Sequence, residues 1–273
     1  MLCIGVFIAQ IAFSFANPFI PMLLLEIGME ENVTLWAGIL SSVSSFTFAI
    51  MAPIWGWLSD RYGKRIMLIR SSFLMGFVYF LTGFVTNHIQ LLWLRILNGL
   101  ISGYNPAATM LIATNTPEAF LGYSLGLLQT ANALGSIMGP LVGGICGEFV
   151  GIRQSYFLAA VILLIVTILS TFGVKEEIDS GKEKSSMVKD ISALIKNSSL
   201  MTVFASLLLV QAAILAIQPI LPLFISALVG EERAKITTGI IFSVIGVLGV
   251  SLFETKIITL NKNIISKARA PLT

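Results

Sequence analysis

Eight long apolar stretches decide what this 273-residue chain can become. They run over Cys3–Ile27, Trp36–Leu58, Ile66–Val85, Ile89–Ala113, Phe120–Phe149, Ser155–Val174, Leu200–Leu228 and Ile236–Phe253. A helix needs about 20 such residues to cross ~30 Å of hydrocarbon. Hydrophobic residues make up 56% of the chain and charged ones only 11%, with a mean hydropathy of +0.92, more apolar surface than a water-soluble core absorbs. Strand-like alternation is missing, so the expectation is an all-α integral membrane protein. The first stretch reads as a span rather than a secretory signal. It lacks a basic leader and exceeds the usual apolar length, and it carries Pro18 and Pro21 without an A-x-A pattern.

Loop charge orients the spans. Arg61, Lys64, Arg65 and Arg70, then Lys175, Lys182, Lys184, Lys189 and Lys196, fall on one side, against Arg153, Arg233 and Lys235 on the other. The basic side is cytoplasmic by the positive-inside rule, and so is the N-terminus. The stretch 175–198 is the one long polar segment and is expected to link a six-helix block (1–174) to helices 7 and 8 (199–253). A polar tail (254–273), with Lys256, Lys262, Lys267 and Arg269, returns to the cytoplasm.

An internal repeat crosses that linker. Pro18 and Pro219, Pro21 and Pro222, Gly38-Ile39 and Gly239-Ile240, and Ser42-Val43 and Ser243-Val244 all match at one offset of 201 (219 − 18). Paired halves with a site between them are a transporter architecture. At the same offset Gly56, Asp60 and Arg61 would recur where Ile257, Asn261 and Lys262 stand. The expectation is one full half and the first two helices of a second, truncated after helix 8.

Three motifs carry chemistry. Gly56-x-x-x-Asp60-Arg61-x-Gly63-Lys64-Arg65 sets a carboxylate, cations and a turn-permitting glycine between spans 2 and 3. Gly56 is expected to allow close backbone approach, Gly63 a tight reversal, and Asp60 to pair with Arg61 or accept from a helix N-terminus. Span 4 holds Arg95 and Gly99; a charge at bilayer depth costs ~2.5–3.5 kcal/mol on insertion scales, so Arg95 should face a cavity or partner. A structural arginine bonded to carbonyls is the plainer alternative. Span 5 carries Gly135, Gly139, Gly143 and Gly147 at four-residue spacing, with Gly144 and a Pro140 expected to bend the helix.

Together these motifs resemble the major facilitator superfamily, and within it the twelve-helix drug:proton antiporters of multidrug efflux. The likeness covers about residues 3 to 250. It implies a major facilitator-type six-helix bundle and a conformational latch at Gly56, Asp60, Arg61, Gly63, Lys64 and Arg65. Part of the latch's partner set would lie on a helix 11 beyond this chain. The resemblance also makes Arg95 a proton-coupling candidate. Gly135, Gly139, Pro140, Gly143 and Gly144 match the helix 5 pattern that marks antiporters, which points to export. Such antiporters often hold an embedded acid in the first half. Here, apart from Glu26 and Glu148 near outer helix ends, spans 1 to 7 carry no carboxylate.

Gln10, Asn17, Gln129, Asn132, Gln211 and Gln218 would be costly facing lipid, which makes them candidates for a substrate cavity or for hydrogen bonds between helices. The expected partners are a drug-like small molecule, protons and the lipid bilayer of the cell membrane, without nucleic acid. No cofactor is expected, and no metal, since His88 stands alone and Cys3 and Cys146 lie in spans. With no P-loop and no nucleophile elbow, ATP-driven transport and enzyme chemistry are not expected. Three readings stay open: a working exporter, a truncated or split chain needing a complementary C-terminal half or a homo-oligomer, and a metabolite transporter on the same fold.

Overall fold

A computed structural model of the chain describes residues 1–29, 31–174, 176, 198–230 and 233–248. The proposed linker, apart from Glu176 and Ser198, and the tail lie outside the described residues. The secondary structure among the described residues is all helix joined by short turns, with no strand. The helices are α1 (Leu2–Ala16), α2 (Ile20–Glu26), α3 (Val33–Tyr62), α4 (Lys64–Thr82), α5 (His88–Ile101), α6 (Tyr104–Asn115), α7 (Glu118–Phe149) and α8 (Ile152–Gly173). Beyond them stand α9 (Ser198–Ile217), α10 (Leu221–Val229) and α11 (233–248).

The bundle is built inside out, as lipid requires. Along α4, Phe73, Phe77 and Phe80, with Phe84 just past its end, form one exposed stripe. Leu68, Ser71, Ser72, Met75 and Tyr79 line the opposite, buried face. Apolar side chains outward need no partner in a bilayer, while serines inside hydrogen-bond to helix carbonyls: Ser72 Oγ donates to Leu68 O at 3.1 Å. α1 lies along α7 and α8, α4 along α8 and α6, and α3 along α5.

Span 1 is interrupted by a 3₁₀ turn at Asn17–Phe19, and Pro21 enters the first turn of α2, where its missing N–H costs nothing. Span 7 breaks at residues 218–220, just before Pro222 in α10. The same offset of 201 relates the breaks (218 − 17 and 220 − 19), so the proline repeat in the sequence is a repeat of backbone geometry. α7 remains one helix through Pro140.

Span 4 departs from the sequence reading, which made it continuous. It ends at Ile101 and restarts at Tyr104, with Gly103 at φ +152°. Carbonyls released at the break are taken up by side chains. Trp55 Nε1 donates to Leu100 O at 2.6 Å, and Ser71 Oγ to Ile101 O at 3.3 Å. The Arg70 guanidinium stacks on the Trp55 ring at 3.4 Å. Trp55→Phe leaves the Leu100 carbonyl without its donor, and should lower stability by ~1–3 kcal/mol. Denaturant titration of the detergent-solubilised protein checks this, and an unchanged midpoint would refute it.

Candidate transport site and loop latch

The turn between α3 and α4 is Gly63, at φ +98°, a backbone that a β-carbon strains. α4 starts at once, leaving the N–H groups of Lys64 and Arg65 without helical acceptors. A carboxylate from beyond α8 takes both: Lys64 N–H donates to Glu176 Oε1 at 2.7 Å, and Arg65 N–H to Glu176 Oε2 at 2.9 Å. The Arg65 guanidinium donates to Thr171 O near the end of α8. A β-carbon at Gly63 would stand 2.9 Å from Glu176 Oε2. The turn is thus fastened to the end of α8, 112 residues away in sequence.

Asp60 reaches Lys64 at 3.8 Å, where the sequence suggested Arg61 or a helix N-terminus. Its side chain is 65% exposed, so this pair contributes under ~1 kcal/mol. Arg61 instead lies over Trp57 at 5.6 Å and Tyr62 at 5.7 Å. Nothing lies within 4 Å of where a Gly56 β-carbon would stand, so the close approach expected there is not made among the described residues. Glu176 was missed by sequence reading. Only its place just past span 6, opposite a short loop rich in backbone donors, could have pointed to it.

Arg95 is 3% exposed. It donates from Nη1 to Asn17 Oδ1 and from Nη2 to the Tyr156 hydroxyl, both at 3.2 Å. One turn on, Gly99 lies hard against the α3 backbone: a β-carbon there would meet Ser44 O and come 2.8 Å from Thr47 Cβ. Gly99 therefore lets α5 approach closely enough for Arg95 to face inward. Beside the guanidinium is a cavity of about 120 Å³ lined by Asn17, Ser41, Ser44, Arg95, Asn98 and Gln218, among others. The Asn98 side-chain nitrogen is buried with no acceptor.

A second polar cluster lies deeper along α1. Gln10 Nε2 donates to Ser14 Oγ at 3.1 Å and to Ser136 Oγ at 2.9 Å, while Asn105 Nδ2 donates to Gln10 Oε1 at 2.9 Å. Asn105 follows the span 4 break and was not among the sequence candidates; the Gly103–Pro106 spacing was the available signal. Of those candidates, Asn17 and Gln218 share the Arg95 cavity and Gln10 heads the second cluster. Asn132 is half-buried, its Oδ1 without a donor. Gln129 and Gln211 are exposed and join neither group.

The glycine face of α7 meets two helices. β-Carbons at Gly135 and Gly139 would fall 2.7 Å from Gln10 Cβ and 2.5 Å from Ser14 Cβ, and one at Gly143 would collide with Phe15 O. Gly144 points elsewhere: its β-carbon would lie 2.6 Å from Lys235 O, and one at Gly239 would lie 2.5 Å from Pro140 O. Ser243 Oγ donates to Ile137 O at 2.6 Å along the same seam. Three glycines therefore dock α1, and Gly144 docks α11. His88 packs edge-on to Trp36 at 4.5 Å, and no cluster of metal ligands occurs among the described residues.

Broken apolar helices closing on a buried cation, with halves related by a repeat, make this a multi-pass helical membrane protein of transporter architecture. The family model for the Major Facilitator Superfamily matches residues 2–265, and the chain belongs to that superfamily. Over 185 residues it is 40% identical to the multidrug resistance protein MdtG of Proteus mirabilis, covering 67% of this chain and 46% of that protein. Over 249 residues it is 34% identical to MdtG of Escherichia coli O6:K15:H31, covering 89% and 61%. The chain thus spans about half the length of the curated relatives it matches. Among solved structures, a D-xylose–proton symporter aligns with a TM-score of 0.67 at 15% identity, over 95% of this chain and 68% of that one. The human organic anion transporter MFSD10 aligns at 0.54 and 18%, over 64% and 46%. At such identities these two show the fold alone.

Proposed function

We propose that this chain takes part in proton-driven export of drug-like compounds by alternating access, in the cell membrane with its N-terminus cytoplasmic. The observation that carries this is the seam between Gly144 on α7 and Gly239 on α11, where the first half meets the second backbone to backbone. Such a face suits rocking of the halves, because it leaves few side chains to disengage beyond Ser243 Oγ on Ile137 O. The multidrug resistance name of its relatives supports export. In this reading residues 175–198 link the halves, and the loop from Gly56 to Arg65 is a latch whose remaining partner belongs to the second half. Arg95 serves coupling as a fixed positive charge that biases a proton carrier supplied by the complementary half, since an arginine keeps its own proton. Gln10, Asn17 and Gln218 face the substrate route.

The test expresses the chain, alone and beside a complementary C-terminal half, in cells stripped of their own pumps. Extrusion of a lipophilic fluorescent compound that a protonophore abolishes is the expected outcome. Well-inserted protein that leaves dye retention unchanged in both settings would overturn the proposal.

A further inference from the structure

We propose that Arg70, stacked on Trp55 near the α3–α4 turn, holds the phosphate of an anionic phospholipid from the adjoining leaflet. Arg70 stands six residues along α4 from Lys64 (70 − 64), or about 9 Å. Ile66, Phe73 and Phe77, at i−4, i+3 and i+7 from it, share its face of the helix, and all three are exposed. On a lipid-facing flank a cation turns its head toward the membrane surface and seeks an anion there. The guanidinium lies 3.4 Å from the centre of the Trp55 ring, which fixes its plane. It has no carboxylate partner among the described residues, whose salt bridges are Asp60–Lys64 and Glu26–Arg153.

A purely structural duty does not use this group up. Arg70 Nη2 donates to Ile101 O at 3.5 Å, the outer limit of a hydrogen bond, and Ser71 Oγ already serves that carbonyl at 3.3 Å. Arg70 Nε is buried with no acceptor. The Ser59 hydroxyl, one turn past Trp55 on the same face of α3 and in a residue 2% exposed, is buried with no partner either. The neighbouring basic residues are engaged: Lys64 reaches Asp60, Arg65 donates to Thr171 O, and Arg61 lies over Trp57 and Tyr62. Unmet donors therefore gather at Arg70, whose planar fork suits two phosphate oxygens. Head-group chemistry narrows the class. Any phospholipid covers the apolar wall of α4, but a zwitterionic one brings an ammonium that competes for its own phosphate. Phosphatidylglycerol, phosphatidate and cardiolipin bring none. In the orientation proposed above this is the cytoplasmic leaflet, whose anionic lipids draw basic residues near the surface.

The test is lipid retention by the full chain, purified in a neutral detergent with equimolar phosphatidylglycerol and phosphatidylcholine and read by native mass spectrometry. We expect phosphatidylglycerol to be retained at least ~10-fold over phosphatidylcholine, as a charge-assisted pair predicts. Arg70→Gln should erase the preference, and Arg70→Lys should keep part of it. Arg61→Gln, which removes a cation from the same membrane surface, should leave it intact. A second measurement needs no change at Arg70. With Trp36→Phe, Trp57→Phe and Trp93→Phe, Trp55 is the one tryptophan left. In phosphatidylcholine bilayers, phosphatidylglycerol brominated on its acyl chains should then quench Trp55 more strongly than brominated phosphatidylcholine at the same mole fraction. Equal retention and equal quenching by the two lipids would overturn the proposal. So would a preference that survives Arg70→Gln, or one that falls as far in Arg61→Gln, which would mean diffuse attraction to the basic loop. Displacement of the retained lipid by inorganic phosphate would assign Arg70 to a soluble anion and overturn the lipid. Retention is read without transport, so this site and the exporter reading stand or fall separately.

Discussion

Gly139→Leu is expected to break the pairing of α1 with α7 and cost at least ~3 kcal/mol, because overpacking is worst where the neighbour cannot move. A β-carbon there would lie 2.5 Å from Ser14 Cβ and 2.9 Å from Ile11 O, and backbone on both sides leaves no rotamer as an escape. Gly122→Ala and Gly126→Ala on the same helix have nothing within 4 Å and should leave stability unchanged or raise it by up to ~1 kcal/mol. Thermal melts in detergent compare the three directly. If all behave alike, the glycine face is not a packing surface. Gly144→Val should separate two roles. The first bundle should melt as before, while cysteines at Ile137→Cys and Ser243→Cys, in a background lacking Cys3 and Cys146, should lose their cross-link. A cross-link that persists would show that α11 docks without that seam.

Glu176→Ala is the second large effect. Hydrogen bonds from backbone N–H groups to a carboxylate contribute ~1.5–3 kcal/mol each, and here two of them meet the positive end of α4. Removing both should destabilise the turn by ~2–4 kcal/mol, with Glu176→Gln intermediate because one oxygen still accepts. Hydrogen exchange read at Lys64 and Arg65 should accelerate in the order wild type, Gln, Ala. Exchange unchanged in Glu176→Ala would mean that these amides are held by something other than the carboxylate.

The membrane helices were legible because lipid imposes one rule on every residue of a span. The proline repeat at equal offset was legible too, but not that it marks breaks at Asn17–Phe19 and 218–220, since spans 1 and 7 were expected to run unbroken. The break at Ser102–Gly103 was not read, because Ser, Gly and Tyr do not interrupt hydropathy; the interruption becomes visible in Pro106 within the first turn of α6. Arg95 could be named from cost alone, but its partners Asn17 and Tyr156 come from helices 78 and 61 residues away. Glu176 follows the same logic. It sits in the most charged stretch of the chain, where nothing local distinguishes it from its neighbours, and only tertiary packing selects it. Glycine spacing on α7 announced a helix-packing face; that Gly144 serves a different helix from Gly143 follows from the ~100° between successive residues.

The Gly144–Gly239 seam has a thermodynamic consequence. An interface closed by leucines freezes rotamers each time it forms and frees them each time it opens, at ~0.5–1 kcal/mol per side chain. Glycine has no side chain to freeze. Along this stretch, apart from the Ser243 Oγ–Ile137 O hydrogen bond, closed and open arrangements would therefore differ by backbone dispersion and weak C–H···O contacts, each small. In the proposed rocking cycle this stretch therefore adds little to the balance between the two arrangements, and contacts elsewhere, a ligand's included, decide it.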